Sequence, residues 1–151
     1  MRSVKSKILI ILICLTLAFI WGNSILTVEA SSRISNTIVK ALQELGLFSN
    51  NSSDVASSSV RKSAHFIEYF VLGGLVLPFL KEQKVNNSLS YLIFLGIAVP
   101  FIDETIQIFS NRGPMILDMW IDIAGFSCGT LIAYTIIVIY DKVINIKRRK
   151  L

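Results

Sequence analysis

The chain has 151 residues, a net charge of +5 and a hydrophobic content of 53%, with a mean hydropathy of +0.64. So apolar a composition, delivered in long blocks, excludes an ordinary soluble domain and points to an all-α, polytopic membrane protein forming one domain over residues 1–151. The positive charge gives no reason to expect nucleic acid, because Lys and Arg cluster at the ends of the apolar blocks; Cys14 and Cys128 lie inside blocks, with neither metal-ligand spacing nor a disulfide framework.

The first block runs from Ile8 to Leu26 and follows Arg2, Lys5 and Lys7. Its basic start and the small-residue pattern Val28-Glu29-Ala30 also fit a signal peptide, but the block is long enough to span as a retained anchor. From Ser31 to Phe48, Ile34, Ile38, Leu42 and Leu45 recur at three- and four-residue spacing, with Ser32 placed to cap the start and Gly46 near the end. That pattern predicts an amphipathic helix on the outer membrane surface or over the mouth of the bundle. Ser49 to Ser59 carries six serines and two asparagines in 11 residues and reads as a flexible loop.

A second span is expected over 64–80, with Gly73 and Gly74 in its middle and Pro78 near its end, followed by a polar turn over 81–87. The third, Leu89 to Phe109, is 21 residues long, enough at about 1.5 Å per residue to cross a hydrocarbon layer of roughly 30 Å. Pro100 predicts a kink in it, one turn before Asp103 and Glu104. A tight loop with Arg112, Gly113 and Pro114 leads to a fourth span over 117–140 and a basic tail. The two ends and the second loop carry ten Lys and Arg against five in the first and third loops. That bias predicts four spans with both termini cytoplasmic and the amphipathic helix extracytoplasmic. Arg61, Lys62 and Arg112 then sit at the outer face against the rule, which implies negative partners.

With this topology the unusual polar residues fall at one level, the outer half of the membrane. His65, Glu68 and Tyr69 share a face of the second span, and Asp103 and Gln107 share one on the third, with Glu104 about 100° away. Asp118 and Asp122 lie four apart on the fourth, on a stripe that continues into Gly125 and Gly129 and lets a neighbouring helix approach closely. A single histidine or a helix-start aspartate is ordinarily structural. Adjacent carboxylates about 9 Å inside a span have no cheap structural role. Five carboxylates here face Arg61, Lys62 and Arg112, an excess of two negative charges. Protonation of the acids, protonation of His65, a divalent cation or a cationic ligand would each offset it.

The same residues resemble the VanZ-like family, named for a teicoplanin-resistance protein of Gram-positive bacteria. The resemblance rests on Lys62-x-x-His65-Phe66-x-x-Tyr69 with Leu72-Gly73, on Asp103-Glu104-x-x-Gln107-x-Phe109 with Arg112, and on Asp118-x-x-x-Asp122-x-x-Gly125-x-x-x-Gly129. Phe19-x-x-x-x-Ser24 and the serine-rich stretch add to it, and nearly the whole chain is covered. Asp122 is a departure, an added negative charge where many members of the family carry Asn. The resemblance implies a cell-envelope protein associated with low-level teicoplanin resistance.

Two functions follow as expectations. In the first, the polar site acts at the outer face on membrane lipids, lipid-linked envelope precursors or lipoglycopeptides without demanding catalysis. In the second, an intramembrane enzyme works on a lipid headgroup or lipid-linked precursor. There His65, Asp103, Glu104, Asp118 and Asp122 are the candidate metal ligands, with Glu68 as a further acid or base and Arg61, Lys62 and Arg112 as phosphate-binding groups. Oxygen-rich donors favour Mg or Mn over zinc. Proton- or ion-coupled transport is disfavoured, because the cytoplasmic halves of the spans carry almost no polar residues.

Overall fold

A computed structural model describes residues 3–46, 53–110 and 116–149. Five helices follow in order: α1 (Val4–Ile25), α2 (Val28–Glu44), α3 (Ser53–Glu82), α4 (Ser88–Phe109) and α5 (Ile116–Arg149). The described residues include no strand. α1, α4 and the greater parts of α3 and α5 are long and apolar enough to cross a membrane. Their outward faces carry exposed large hydrophobics such as Ile8, Phe19, Phe94, Phe101 and Ile136, as a surface against lipid chains requires.

α3 is the hub and packs on every other helix, most extensively on α5. Glycine makes that contact possible. A Cβ at Gly73 would collide with the backbone carbonyl of Phe126, one at Gly125 with that of Phe66, and one at Gly129 with that of Phe70. The small-residue stripe expected on the fourth span is thus met by α3, backbone against backbone. Around it, Ile13 and Ile20 of α1, Tyr69, Leu72, Val76 and Leu80 of α3, Val99 of α4 and Phe126 of α5 close a core.

α1 runs antiparallel to α3. Ser3 caps α1 by accepting from Ser6 N and also donates to Glu82 Oε1, and Gln83 Nε2 donates to Ser6 Oγ, so the start of α1 meets the end of α3. At the other end, Asn23 of α1 reaches Glu68 of α3.

The amphipathic helix begins earlier than its periodicity indicates. Thr27, not Ser32, is the cap, its hydroxyl accepting from Ala30 N, and Glu29 sits in the first turn where the helix dipole favours an acid. Its end agrees with the sequence: Gly46 has φ +72, a left-handed conformation that closes a helix most cheaply in glycine. The face buried against the bundle is Ser35 and Val39, while Ile34 and Ile38 beside it stay substantially exposed.

The serine-rich segment departs most from expectation. Residues 49–52 lie outside the described residues, but from Ser53 onward the chain is α3. Helix forms there because tertiary contact overrides weak propensity. α2 packs on α3, Ala56 is only 3% exposed, and Ser59 returns its hydroxyl to Val55 O at 2.9 Å instead of competing for a turn. At the other end α3 passes through Pro78, and α4 likewise runs through the buried Pro100 as one helix.

Candidate functional site

The site lies where α1 and α4 end and α5 begins, about three turns inside α3. Asp103 and Asp122 are completely buried, Asp118 is 3% exposed and Gln107 5%, and His65 and Glu104 are each 7% exposed. Carboxylates this deep must be balanced by neighbours, because an isolated charge away from water is severely destabilising.

Asp103 has the fullest set of donors. Ser24 Oγ of α1 donates to its Oδ1 at 2.5 Å, and Gln107 Nε2, one turn along α4, donates to its Oδ2 at 2.9 Å. The shared face read for Asp103 and Gln107 is therefore a hydrogen-bonded pair. His65 Nδ1 of α3 stands 3.5 Å from Asp122 Oδ1 of α5 and 4.0 Å from Asp103 Oδ2. His65, Asp103 and Asp122 can each present one donor atom such that all three lie within 4.8 Å of one another. Tyr69 is fully buried beneath them. Among the described residues, its hydroxyl, His65 Nδ1, one oxygen of Asp118 and both of Asp122 make no hydrogen bond.

These observations bear on a metal. In a tetrahedral site with bonds of about 2.0–2.1 Å, donor atoms stand about 3.3 Å apart. In an octahedral one at similar length, cis donors stand about 3 Å apart and trans donors about 4.2 Å. The His65 separations of 3.5 and 4.0 Å fall close to these spacings. Ser24 and Gln107 orient the Asp103 carboxylate as outer partners do around metal-ligating carboxylates. The residues present therefore fit a divalent cation. Glu104 and Asp118 are buried nearby, yet the three-donor arrangement does not include them.

Glu68 differs from the other acids. It is half-buried, accepts from Asn23 Nδ2 at 2.8 Å, and with His65 and Arg61 lines a cavity of about 100 Å³ roofed by Ile34, Ser35 and Ile38 of α2. This cavity touches the edge of the acidic site at His65 and Glu68. Among the described residues neither Arg61 nor Lys62 forms an ion pair, and Arg61 lines two cavities. The acids already have His65, Ser24, Gln107 and Asn23 as neighbours. Arg112 lies outside the described residues.

Two residues of α1, Asn23 and Ser24, were not assigned to the site from the sequence, although Ser24 stands in the pattern Phe19-x-x-x-x-Ser24. Their further signal was an amide and a hydroxyl side by side near the end of an otherwise apolar block, which reads equally well as the block meeting the interface. Alanine at Ser24 is expected to lower stability by about 1–2 kcal/mol, since it strips a donor from a buried carboxylate. Thermal unfolding of the detergent-solubilised protein measures this, and an unchanged midpoint would show the bond to be dispensable.

No curated protein and no solved structure matches the chain. The VanZ/LLP1 family profile matches residues 8–139, a stretch that takes in most of each of the four apolar helices and every site residue named above, so the chain is a VanZ-like multi-pass membrane protein and belongs to the VanZ/LLP1 family.

Proposed function

We propose that this protein works in the cell membrane with both termini in the cytoplasm and the acidic site toward the outer face. There it modulates susceptibility to teicoplanin-type glycopeptides by engaging a lipid headgroup, a lipid-linked envelope precursor or the lipoglycopeptide itself. The orientation is supported by the ten-to-five distribution of Lys and Arg. The observation that carries the reading is the buried set His65, Asp103 and Asp122, with a cavity beneath an amphipathic helix lined by His65. A protein that only filled membrane would not keep carboxylates at 0% exposure against one another. A strain carrying Asp103→Asn with Gln107→Ala is expected to match the deletion strain in teicoplanin susceptibility. If deletion, double variant and wild type were all equally susceptible, the reading would fail.

A second reading, a metal-assisted intramembrane enzyme on a lipid headgroup or lipid-linked precursor, is favoured by the three donor atoms within 4.8 Å. A divalent cation there would polarise a phosphoryl or carbonyl oxygen. His65, Asp103 and Asp122 would hold it, and Arg61 at the adjoining cavity would hold a phosphate. Untargeted lipidomics separates the two readings. A lipid that accumulates in both the deletion and the Asp103→Asn cells indicates turnover, whereas unchanged lipids beside altered susceptibility indicate binding alone.

A further inference from the structure

A second cavity, of about 220 Å³, lies between α2 and α3. Ser31, Ser32 and Ser35 of α2 face Ser57, Ser58 and Arg61 of α3 across it, and its remaining lining residue, Asn36, is polar as well. The spacing explains the convergence. Ser31 with Ser35 and Ser32 with Asn36 lie four apart on one side of α2, and Ser57 and Ser58 lie four and three residues before Arg61 on α3. A wholly polar cavity stands out in a bundle whose surface is dominated by exposed isoleucine, leucine and phenylalanine. It exists only because the serine-rich segment is helical and packed rather than a loop.

We infer that this cavity is a subsite for a phosphate group, as a phosphomonoester or phosphodiester headgroup. Three features point to an anion. Among the described residues no carboxylate lines the cavity, in contrast to the acid-filled site next to it. The charged residue among those described is Arg61, whose Nε is buried and makes no hydrogen bond among the described residues. Guanidinium supplies only donors, in a planar fork that matches phosphate oxygens. The hydroxyls of Ser35, Ser57 and Ser58 rotate to donate to whatever oxygens remain. The volume is several times a water's share of about 30 Å³, so a phosphate and part of its ester fit.

Arg61 also lines the smaller cavity that leads to His65 and Glu68. His65 is one helical turn further along α3, a rise of about 6 Å. A phosphate on Arg61 would therefore lie about one helical turn from His65 at the edge of the acidic site. This names the ligand class for the function proposed above and rests on that reading only for its purpose. The binding itself stands on separate residues.

The test is native mass spectrometry of the full-length protein in detergent, titrated with phosphatidic acid, with diacylglycerol of the same chains, and with inorganic phosphate as competitor. Phosphatidic acid is expected to bind at least about tenfold more tightly than diacylglycerol. Arg61→Gln should remove that preference, the loss of a charge-assisted bond to an anion. The paired Ser57→Ala and Ser58→Ala variant should weaken it without touching the guanidinium, and it carries the test if Arg61→Gln does not fold. Asp103→Asn should leave the preference intact. Displacement by inorganic phosphate at or below the lipid's own concentration identifies free phosphate as the occupant, and failure to displace identifies the lipid headgroup. Equal binding of the two lipids, or a preference unaltered in both Arg61→Gln and the serine pair, overturns the inference. It would do so even if Asp103→Asn with Gln107→Ala still abolished the effect on teicoplanin susceptibility, so the subsite and the acidic site can fail separately.

Discussion

Alanine at Gly129 is expected to leave little or no folded protein. Its Cβ would overlap the carbonyl oxygen of Phe70 and approach the Phe70 carbonyl carbon to 2.8 Å and Gly74 N to 3.0 Å. All three are backbone atoms, so no side-chain rotation relieves the collision, and α5 must move off α3. Overpacking a core ordinarily costs about 1–3 kcal/mol when side chains can adjust. Here the most extensive helix pairing of the molecule has to open, so the cost should lie at or above the top of that range, against a typical total stability of about 5–15 kcal/mol. Gly22 on α1 is the control, because a Cβ there meets nothing within 4 Å. Gly22→Ala should elute as a single species from size-exclusion chromatography in detergent and keep its unfolding temperature, while Gly129→Ala aggregates or unfolds many degrees lower. Equal behaviour of the two variants would mean that the α3–α5 contact is looser than described.

Asp122→Asn is expected to act in opposite directions with and without a divalent cation. In the metal-free protein the aspartate is fully buried and neither carboxylate oxygen makes a hydrogen bond among the described residues. Neutralising it leaves the single imidazole of His65 facing one buried carboxylate, Asp103, in place of two, so the unfolding temperature should rise or hold. With Mn²⁺ present the variant lacks one of three donors, and affinity should fall by at least about a hundredfold, as His65→Ala should also show. Because a cation bound only to the folded state stabilises it by mass action, Mn²⁺ should raise the unfolding temperature of the unmodified protein and not that of Asp122→Asn. Isothermal titration with Mn²⁺ and Mg²⁺, beside melting curves with and without each ion, gives both answers. No Mn²⁺-dependent stabilisation of the unmodified protein would remove the metal-assisted reading.

The four apolar helices, the amphipathic helix after the first and the level at which the acids meet were legible because each depends on local pattern. Length and hydropathy define a span, three- and four-residue spacing defines a face, and Gly125 with Gly129 marks a close approach. Legibility failed where one residue's role is set by a distant partner. Ser24 lies 79 residues from Asp103 and Asn23 lies 45 from Glu68, and nothing near them in the chain announces either bond. Ser53 to Ser59 failed for a related reason, since serine clusters favour turns locally and only the packing of α2 on α3 makes this one helical. Arg61 was expected to meet the acids because it stands at the outer face against the charge bias, and the cavities that it lines depend on the packing of α2 on α3, which no local rule describes.

The 79 residues that separate Ser24 from Asp103 also constrain how the molecule is made. α1 leaves the ribosome and enters the membrane well before α4 is synthesised. An isolated α4 carrying Asp103, Glu104 and Gln107 enters lipid poorly, because buried carboxylates without partners oppose insertion. Ser24, Asn23 and His65 are by then already embedded on α1 and α3, so the first half of the chain forms the receptacle that draws the fourth helix in. Loss of the Ser24 hydroxyl should therefore register during biosynthesis, as a larger share of α4 left outside the bilayer, beyond any effect on the finished protein.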